Sequence, residues 1–178
     1  MNYRPLPLSG ALVLVPDVYS DDRGYFKEIF SAPRYREAGI HVDFIQDNVS
    51  CSKRGVVRGL HADPRMAKLV QVLSGAAFDV IVDLRKESPT YLQWYGHHLR
   101  ANEHTQIYVP AGCLHGFLAL TDDVVFLYKQ SATYDPTTEF GVAWNDPDLR
   151  IEWPLDGLLP IVSPKDASNP TLRDLKVV

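Results

Sequence analysis

The chain has 178 residues, of which 46% are hydrophobic and 22% charged, and its formal net charge at pH 7 is −4. These proportions are typical of a folded globular domain and exclude a wholly disordered chain, so we expect one domain over residues 1–178. The acidic balance and the lack of a lysine- and arginine-rich stretch argue against nucleic acid as the main partner.

The longest apolar runs, at residues 10–16 and 124–128, are far below the ~18 residues that a membrane helix needs. The N-terminal residues contain no apolar core of a secretory signal, so we expect a cytoplasmic protein without a membrane segment. Cys51 and Cys113 show no spacing typical of a zinc site or a disulfide framework, and both are predicted to be ordinary thiols.

Alternation of apolar and polar residues predicts several short strands, bounded by turn-forming residues. The predicted strands are residues 12–15, 68–73, 77–84, 91–99, 106–109, 124–129 and 140–144. A helix is predicted over residues 32–38, with Ser31 as its cap and Gly39 at its end, and a weaker helical turn near residues 167–172. Many short strands with few helices indicate an all-β sandwich or barrel.

Polar clusters occur at three places in the first third of the chain. Residues 22–28 predict a hairpin with solvated charges or, alternatively, a clamp in which Arg23 pairs with a phosphate and Phe26 stacks on a base. Residues 46–50 are as consistent with a loop as with a site. In the sequence R-G-L-H, Arg58 and His61 would face opposite sides of a regular strand, so a bend or bulge is needed to aim both at one ligand.

The segment 110–117 resembles the second motif of cupin barrels, in which a histidine, here His115, faces the interior. No upstream H-x-H motif followed by a glutamate supplies the other metal ligands of such barrels. The nearest candidates, His97 and His98, are adjacent and would point to opposite faces, so we expect no metal.

Three further residues have two interpretations each. Lys68 is the first residue of a predicted apolar strand. Because lysine is rarely buried, it is either functional or does not face the interior. Tyr128 shares a face with apolar neighbours and by period alone fits the core better than a catalytic role. Asp166 could orient a histidine, although an exposed turn is the simpler interpretation.

Taken in order, these motifs resemble the nucleotide-sugar epimerases typified by dTDP-4-dehydrorhamnose 3,5-epimerase. The resemblance covers nearly the whole chain. Its motifs are D-R-G-x-F-x-E at 22–28, Q-x-N-x-S at 46–50, R-G-L-H at 58–61, K-L-V at 68–70, D-V-x-V-D-x-R-x-x-S-P-T at 79–90, I-Y-V-P-x-G-x-x-H-G-F at 107–117, Y-K at 128–129, W-N-D-P at 144–147, I-E-W-P at 151–154 and S-x-K-D at 163–166.

The resemblance implies a cupin-type jelly roll that uses no metal and no cofactor, and a substrate that is a 4-keto-6-deoxy sugar linked to a nucleoside diphosphate. Protons at C3 and C5 flank the ketone, so each can be removed to leave an enolate and returned from the opposite face. By motif match, His61 is the base, Asp166 orients it, and Tyr128 is the acid. Lys68 and His115 would stabilise the enolate at the C4 oxygen.

The same match assigns the remaining substrate contacts, and it implies a homodimer in which the region of Arg23, Phe26 and Glu28 reaches the neighbour's site. The residues predicted to bind substrate are Arg23, Phe26, Glu28, Gln46, Asn48, Arg58, Glu139 and Lys165.

Two departures from the family pattern keep other functions open. The loop between His61 and Lys68 is shorter than in typical double epimerases, and Thr133-Tyr134 stands where those enzymes commonly have two tyrosines. A threonine hydroxyl is a far weaker acid than a phenol, so a contact made there would be lost. The alternatives are a mono-epimerase acting on another nucleotide sugar, a 3,4-ketoisomerase, and a sugar-binding cupin without turnover.

Overall fold

Two antiparallel sheets and a separate hairpin make up most of the fold, which a computed structural model describes for residues 1–177. The last residue of the predicted domain lies outside this range. The strands are β1 (Asn2–Pro5), β2 (Leu12–Val15), β3 (Val18–Asp21), β4 (Gly24–Lys27), β5 (Gln46–Ser52), β6 (Val56–Ala62), β7 (Lys68–Ser74), β8 (Ala76–Asp83), β9 (Trp94–Arg100), β10 (Gln106–Val109), β11 (Cys113–Ala119), β12 (Val124–Gln130), β13 (Phe140–Gly141) and β14 (Ile161–Val162). The helices are α1 (Ala32–Glu37), α2 (Pro164–Ala167) and a 3₁₀ turn at Ala101–Glu103.

The first sheet has the order β1-β2-β10-β7-β12-β5, and the second has the order β13-β6-β11-β8-β9, with β14 parallel to β6. Strands β3 and β4 form a two-stranded ribbon of their own. Among the described residues, β5 is the edge strand of the first sheet and pairs with β12. This architecture confirms the predicted all-β class, a jelly-roll sandwich of the cupin type with short helices.

The main core lies between the two sheets and draws apolar side chains from both. Phe117 of the second sheet and Phe126 of the first stack with ring centroids 4.3 Å apart, and both are fully buried. Burial of a side chain of this size contributes about 1.5–3 kcal/mol to stability. Other members include Val13, Val70, Ile81, Leu99 and Ile107.

A second apolar cluster lies under the C-terminal segment, and a third lies under α1. Trp153 packs edge-on against Trp144, and its indole N–H donates to the Trp144 carbonyl at 2.9 Å. In the third cluster Tyr35 of α1 is buried beside Ile40. The C-terminal residues therefore wrap against the second sheet.

Most predicted elements are present, with shifted ends. The strands at 12–15 and 106–109 match in full, whereas the predicted strand 91–99 begins only at Trp94, because a turn occupies the preceding residues. The predicted strand 140–144 shortens to Phe140–Gly141. Helix α1 has Ser31 at its N-cap position, without a side-chain hydrogen bond, and Gly39 follows it with φ +89°.

The predicted helical turn near residues 167–172 was placed too late. The helix there is Pro164–Ala167, capped by Ser163, whose hydroxyl accepts from the Asp166 N–H. A serine cap followed by a proline at the first helical position is a sequence signal for this start. Among the described residues, no helix is long and apolar enough to cross a membrane.

Strands β6 and β11 approach unusually closely where each carries a glycine. A Cβ at Gly59 would lie 2.7 Å from the Gly116 Cα, and a Cβ at Gly116 would lie 2.6 Å from the Arg58 carbonyl oxygen. The register between the two strands shifts at this point, between His115 and Phe117. The glycines of R-G-L-H and H-G-F thus permit the irregularity that the sequence predicts beside His61.

Candidate active site

A cavity of about 560 Å³ opens at one end of the sandwich. This volume lies in the range of small-molecule sites. Its walls come from β5, β6, β7, β11, β12 and the segment around α2. The predicted site residues that line it are Asn48, Arg58, His61, Lys68, His115, Tyr128, Glu139, Lys165 and Asp166.

His61 and Asp166 form a hydrogen-bonded pair on the wall built by β6 and α2. His61 Nε2 lies 2.6 Å from Asp166 Oδ1, and the Gly59 N–H donates to Asp166 Oδ2 at 3.3 Å. Burial alone would raise the pKa of Asp166, but the hydrogen bond and charge of His61 and the Gly59 N–H outweigh it, so this pKa is lowered. An ionised Asp166 accepts a hydrogen bond from a protonated Nε2 of His61, and the lone pair of the ring is then on Nδ1.

Tyr128 occupies the facing wall, on β12 of the first sheet. Its hydroxyl lies 3.2 Å from Ser50 Oγ on β5, and its ring packs against Phe126 at a centroid distance of 4.9 Å. Burial raises the pKa of Tyr128 to about 12, although the Ser50 hydrogen bond and the charge of Arg58 act in the opposite direction. The phenol therefore stays protonated at neutral pH.

Lys68 is a buried cation at the start of β7, with only 9% of the residue exposed. Burial lowers the pKa of its ammonium, and the negative charges of Glu139 and Asp79 act against this. Among the described residues its Nζ has no ion pair within 4 Å. A lysine so placed is available to a ligand that brings negative charge.

His115 forms a second pair, with Asp79 of the neighbouring strand β8. Its Nε2 lies 2.7 Å from Asp79 Oδ1, and the two side chains are 3% and 1% exposed. The other carboxylate oxygen, Asp79 Oδ2, is buried and has no hydrogen-bond partner among the described residues. The pair therefore places a histidine and a carboxyl group deep in the sandwich, beside the cavity that His115 lines.

Polar side chains surround the mouth of the cavity. Lys165 Nζ donates to Glu139 Oε1 at 2.5 Å, and Arg58 Nε donates to Ser52 Oγ at 3.0 Å. Gln46 and Asn48 both donate to the Gln130 side-chain oxygen, at 3.0 and 3.2 Å. Gln46 joins this network without lining the cavity itself.

The structure does not bring Arg23, Phe26 and Glu28 to the cavity of their own chain. Arg23 is on the turn of the β3–β4 hairpin, where its side chain is 89% exposed and pairs with Asp21. Phe26 is 70% exposed, and Glu28 pairs with Arg34 of α1. Arg23, Phe26 and Glu28 therefore do not line the cavity that contains His61 in their own chain.

Two contacts in the cavity were not predicted from the sequence, namely Asp79 as the partner of His115 and Ser50 as the partner of Tyr128. An aspartate on the same face as Ile81, in a strand that is apolar apart from Asp79 and Asp83, is a signal that could have indicated Asp79. Within residues 1–177, no group of three or more His, Cys, Asp or Glu side chains could hold a metal ion.

The family model for dTDP-4-dehydrorhamnose 3,5-epimerase matches residues 5–174. This chain belongs to the dTDP-4-dehydrorhamnose 3,5-epimerase family. A dTDP-4-dehydrorhamnose 3,5-epimerase of Methanothermobacter thermautotrophicus is 45% identical over 172 residues, covering 94% of this chain and 92% of the relative.

Two solved structures of this family's fold are similar over almost the whole chain. A dTDP-6-deoxy-D-glucose-3,5-epimerase of Legionella pneumophila, in complex with dTDP-4-keto-L-rhamnose, is 41% identical with a TM-score of 0.93 and covers 99% of this chain and 96% of its own. A 3′-monoepimerase of Streptomyces bikiniensis, in complex with dTDP-quinovose, is 37% identical with a TM-score of 0.90, over 98% and 91% of the two chains.

Proposed function

We propose that this chain inverts C3 and C5 of a dTDP-linked 4-keto-6-deoxy sugar, of the dTDP-4-dehydro-6-deoxyglucose type, through an enolate. The observation that carries the proposal is the placement of His61 and Tyr128 on the two facing sheets, around one cavity. A base and an acid on opposite sides of a sugar ring are what inversion by enolisation requires. A binding protein has no need of this arrangement.

His61 is the proposed base. Its Nδ1 takes the proton from the carbon beside the ketone, and Asp166 stabilises the imidazolium that forms. Tyr128 then gives its phenolic proton to the opposite face of the same carbon. One proton has moved to His61 and one has left Tyr128, so the carbon is inverted and the charges balance.

Lys68 and His115 are the proposed stabilisers of the enolate. The Lys68 ammonium would face the negative charge that develops on the C4 oxygen in a largely buried site. In its imidazolium form, His115 would donate to the same oxygen through Nδ1 while Nε2 donates to Asp79. Both groups are held in place before substrate arrives, which lowers the reorganisation that the reaction needs.

The nucleotide is proposed to lie at the cavity mouth. Arg58 and Lys165 would pair with the diphosphate, and the amides of Gln46 and Asn48 and the carboxylate of Glu139 would contact the nucleoside. Because a nucleotide sugar is made and used inside the cell, we infer a cytoplasmic location.

Incubation with dTDP-4-keto-6-deoxyglucose in D₂O, followed by NMR of C3 and C5, tests the activity. Deuterium and inversion at both carbons are the expected result. Inversion at C3 alone would favour the mono-epimerase alternative, in line with the S. bikiniensis neighbour, and a shift of the carbonyl to C3 would show a ketoisomerase. No deuterium at either carbon would contradict the proposal.

We also propose a homodimer in which the β3–β4 hairpin completes the neighbour's site. A two-stranded ribbon is marginally stable by itself, yet this one exposes Tyr19, Tyr25 and Phe26 by 58–70%. Packing against a second copy would cover these rings and bring Arg23, Phe26 and Glu28 to the partner's cavity.

Mixing two inactive variants tests this arrangement. Arg23→Ala and His61→Ala each damage one half of a shared site, so a mixed dimer contains one intact site. An equal mixture, dissociated and reassembled, should recover up to about a quarter of the wild-type activity. No recovery from mixed dimers, with dimerisation verified by ultracentrifugation, would show that each site is built from one chain.

A further inference from the structure

Tyr128 must regain a proton before it can act a second time, and its surroundings limit where that proton can come from. Among the described residues, Ser50 Oγ is the side-chain hydrogen-bond partner of the phenol. The rest of the ring faces Phe126, at 4.9 Å between centroids, and the edge of His115, at 6.2 Å. Neither of these rings hydrogen-bonds the Tyr128 hydroxyl.

The source of this proton becomes important when two centres are inverted in one binding event. The first inversion leaves Tyr128 as a phenolate and His61 as an imidazolium. A sugar that stays bound fills the cavity in front of the phenol, so water cannot reach it from that side. Reprotonation then has to pass along the cavity wall.

Ser50 has the position and chemistry for this step. It lies on β5, the last strand of the first sheet, and keeps part of its surface exposed between the exposed residues Asn48, Val49 and Cys51. A hydroxyl can donate one hydrogen bond while it accepts another. The 3.2 Å contact allows either oxygen to be the donor.

We propose that Ser50 is a positioning residue that relays a proton from water to Tyr128 between the two inversions. Ser50 gives its hydroxyl proton to the phenolate and takes a proton from water, and the hydroxide left behind accepts the proton of the His61 imidazolium. The sum is transfer of one proton from His61 to Tyr128, with no other reactant consumed. This inference rests on the proposed function, because it requires Tyr128 to be the acid.

The relay predicts that the two centres respond differently to loss of Ser50. Tyr128 starts protonated, so the first inversion does not need the relay, whereas the second does. In Ser50→Ala, the first inversion should stay within about threefold of the wild type, the cost of one lost hydrogen bond. The second should slow by about tenfold or more, so that singly inverted sugar accumulates.

Single-turnover experiments in D₂O, with enzyme in excess over dTDP-4-keto-6-deoxyglucose, test the relay by NMR of C3 and C5. Ser50→Thr keeps a hydroxyl and should restore the second inversion. Ser74→Ala is a matched control, since Ser74 is an exposed serine at the far end of β7.

Equal losses at both centres in Ser50→Ala, or no difference from Ser74→Ala, would overturn the relay and leave the proposed function intact. Absence of deuterium at both centres in the wild type would overturn the proposed function, and the relay with it.

Discussion

The cavity is lined by the histidines of two histidine–aspartate pairs, which have nearly the same hydrogen-bond length in very different surroundings. His61 and Asp166 are 2.6 Å apart, with side chains 24% and 6% exposed, whereas His115 and Asp79 are 2.7 Å apart and 3% and 1% exposed. A ring that reaches water and ligand can exchange protons with them, whereas an enclosed ring is held in place by its carboxylate partner. Burial, rather than hydrogen-bond length, therefore distinguishes the proposed base from the proposed electrostatic support.

The largest expected effect comes from removing the His61 ring, the more exposed ring of the two. His61→Ala should lower kcat/KM by about 10²- to 10⁴-fold, the usual contribution of a general base, with nucleotide affinity retained. Asp166→Asn should cost less, because the base remains. His41→Ala is a matched control at an exposed histidine outside the cavity. A loss of less than tenfold in His61→Ala would show that another group removes the proton.

The buried ring should matter more for stability than the exposed one. His115→Ala leaves the Asp79 carboxylate buried without its partner, which should lower the free energy of unfolding by about 3 kcal/mol. His61→Ala should cost about 1 kcal/mol, because the Gly59 N–H still reaches Asp166. Urea unfolding of both variants measures the difference. Equal losses would erase the distinction between the two pairs.

The smallest expected effect is a change in the alkaline part of the pH–rate profile. Burial lowers the pKa of Lys68, so its ammonium loses its proton below the ordinary lysine range, and activity that needs this charge falls as the pH rises through the lowered pKa. Tyr128, with a pKa of about 12, is still protonated there. In Lys68→Arg the fall should move to higher pH. If the pH–rate profile of Lys68→Arg is the same as that of the wild type, the alkaline fall in activity comes from another group.

The sequence predicts strands best where one face is buried and the other is polar. The sequence does not identify β5 as a strand, because most of its side chains are exposed at the edge of the sheet. Strand β11 was missed because it is buried along its whole length and follows a proline and a glycine, so no alternation marks it. Periodicity cannot reveal a strand that has the same surroundings on both faces.

The motifs identified the residues of the cavity but not all of their partners. The Asp79–His115 pair depends on the register between β8 and β11, and the Ser50–Tyr128 contact depends on that between β5 and β12. Register depends on the patterns of both strands and on the turns that join them, so the pattern of one strand alone does not show it. The separation of the hairpin from its own cavity likewise follows from chain topology.

The central claim, that His61 removes the proton and Tyr128 returns it from the other side, is tested most directly by Tyr128→Phe in D₂O. His61 can still remove the proton and return deuterium to the same face, so NMR should show deuterium at a sugar carbon next to the ketone without inversion. Inversion by Tyr128→Phe at the wild-type rate would contradict the account, because the acid would then be a different group.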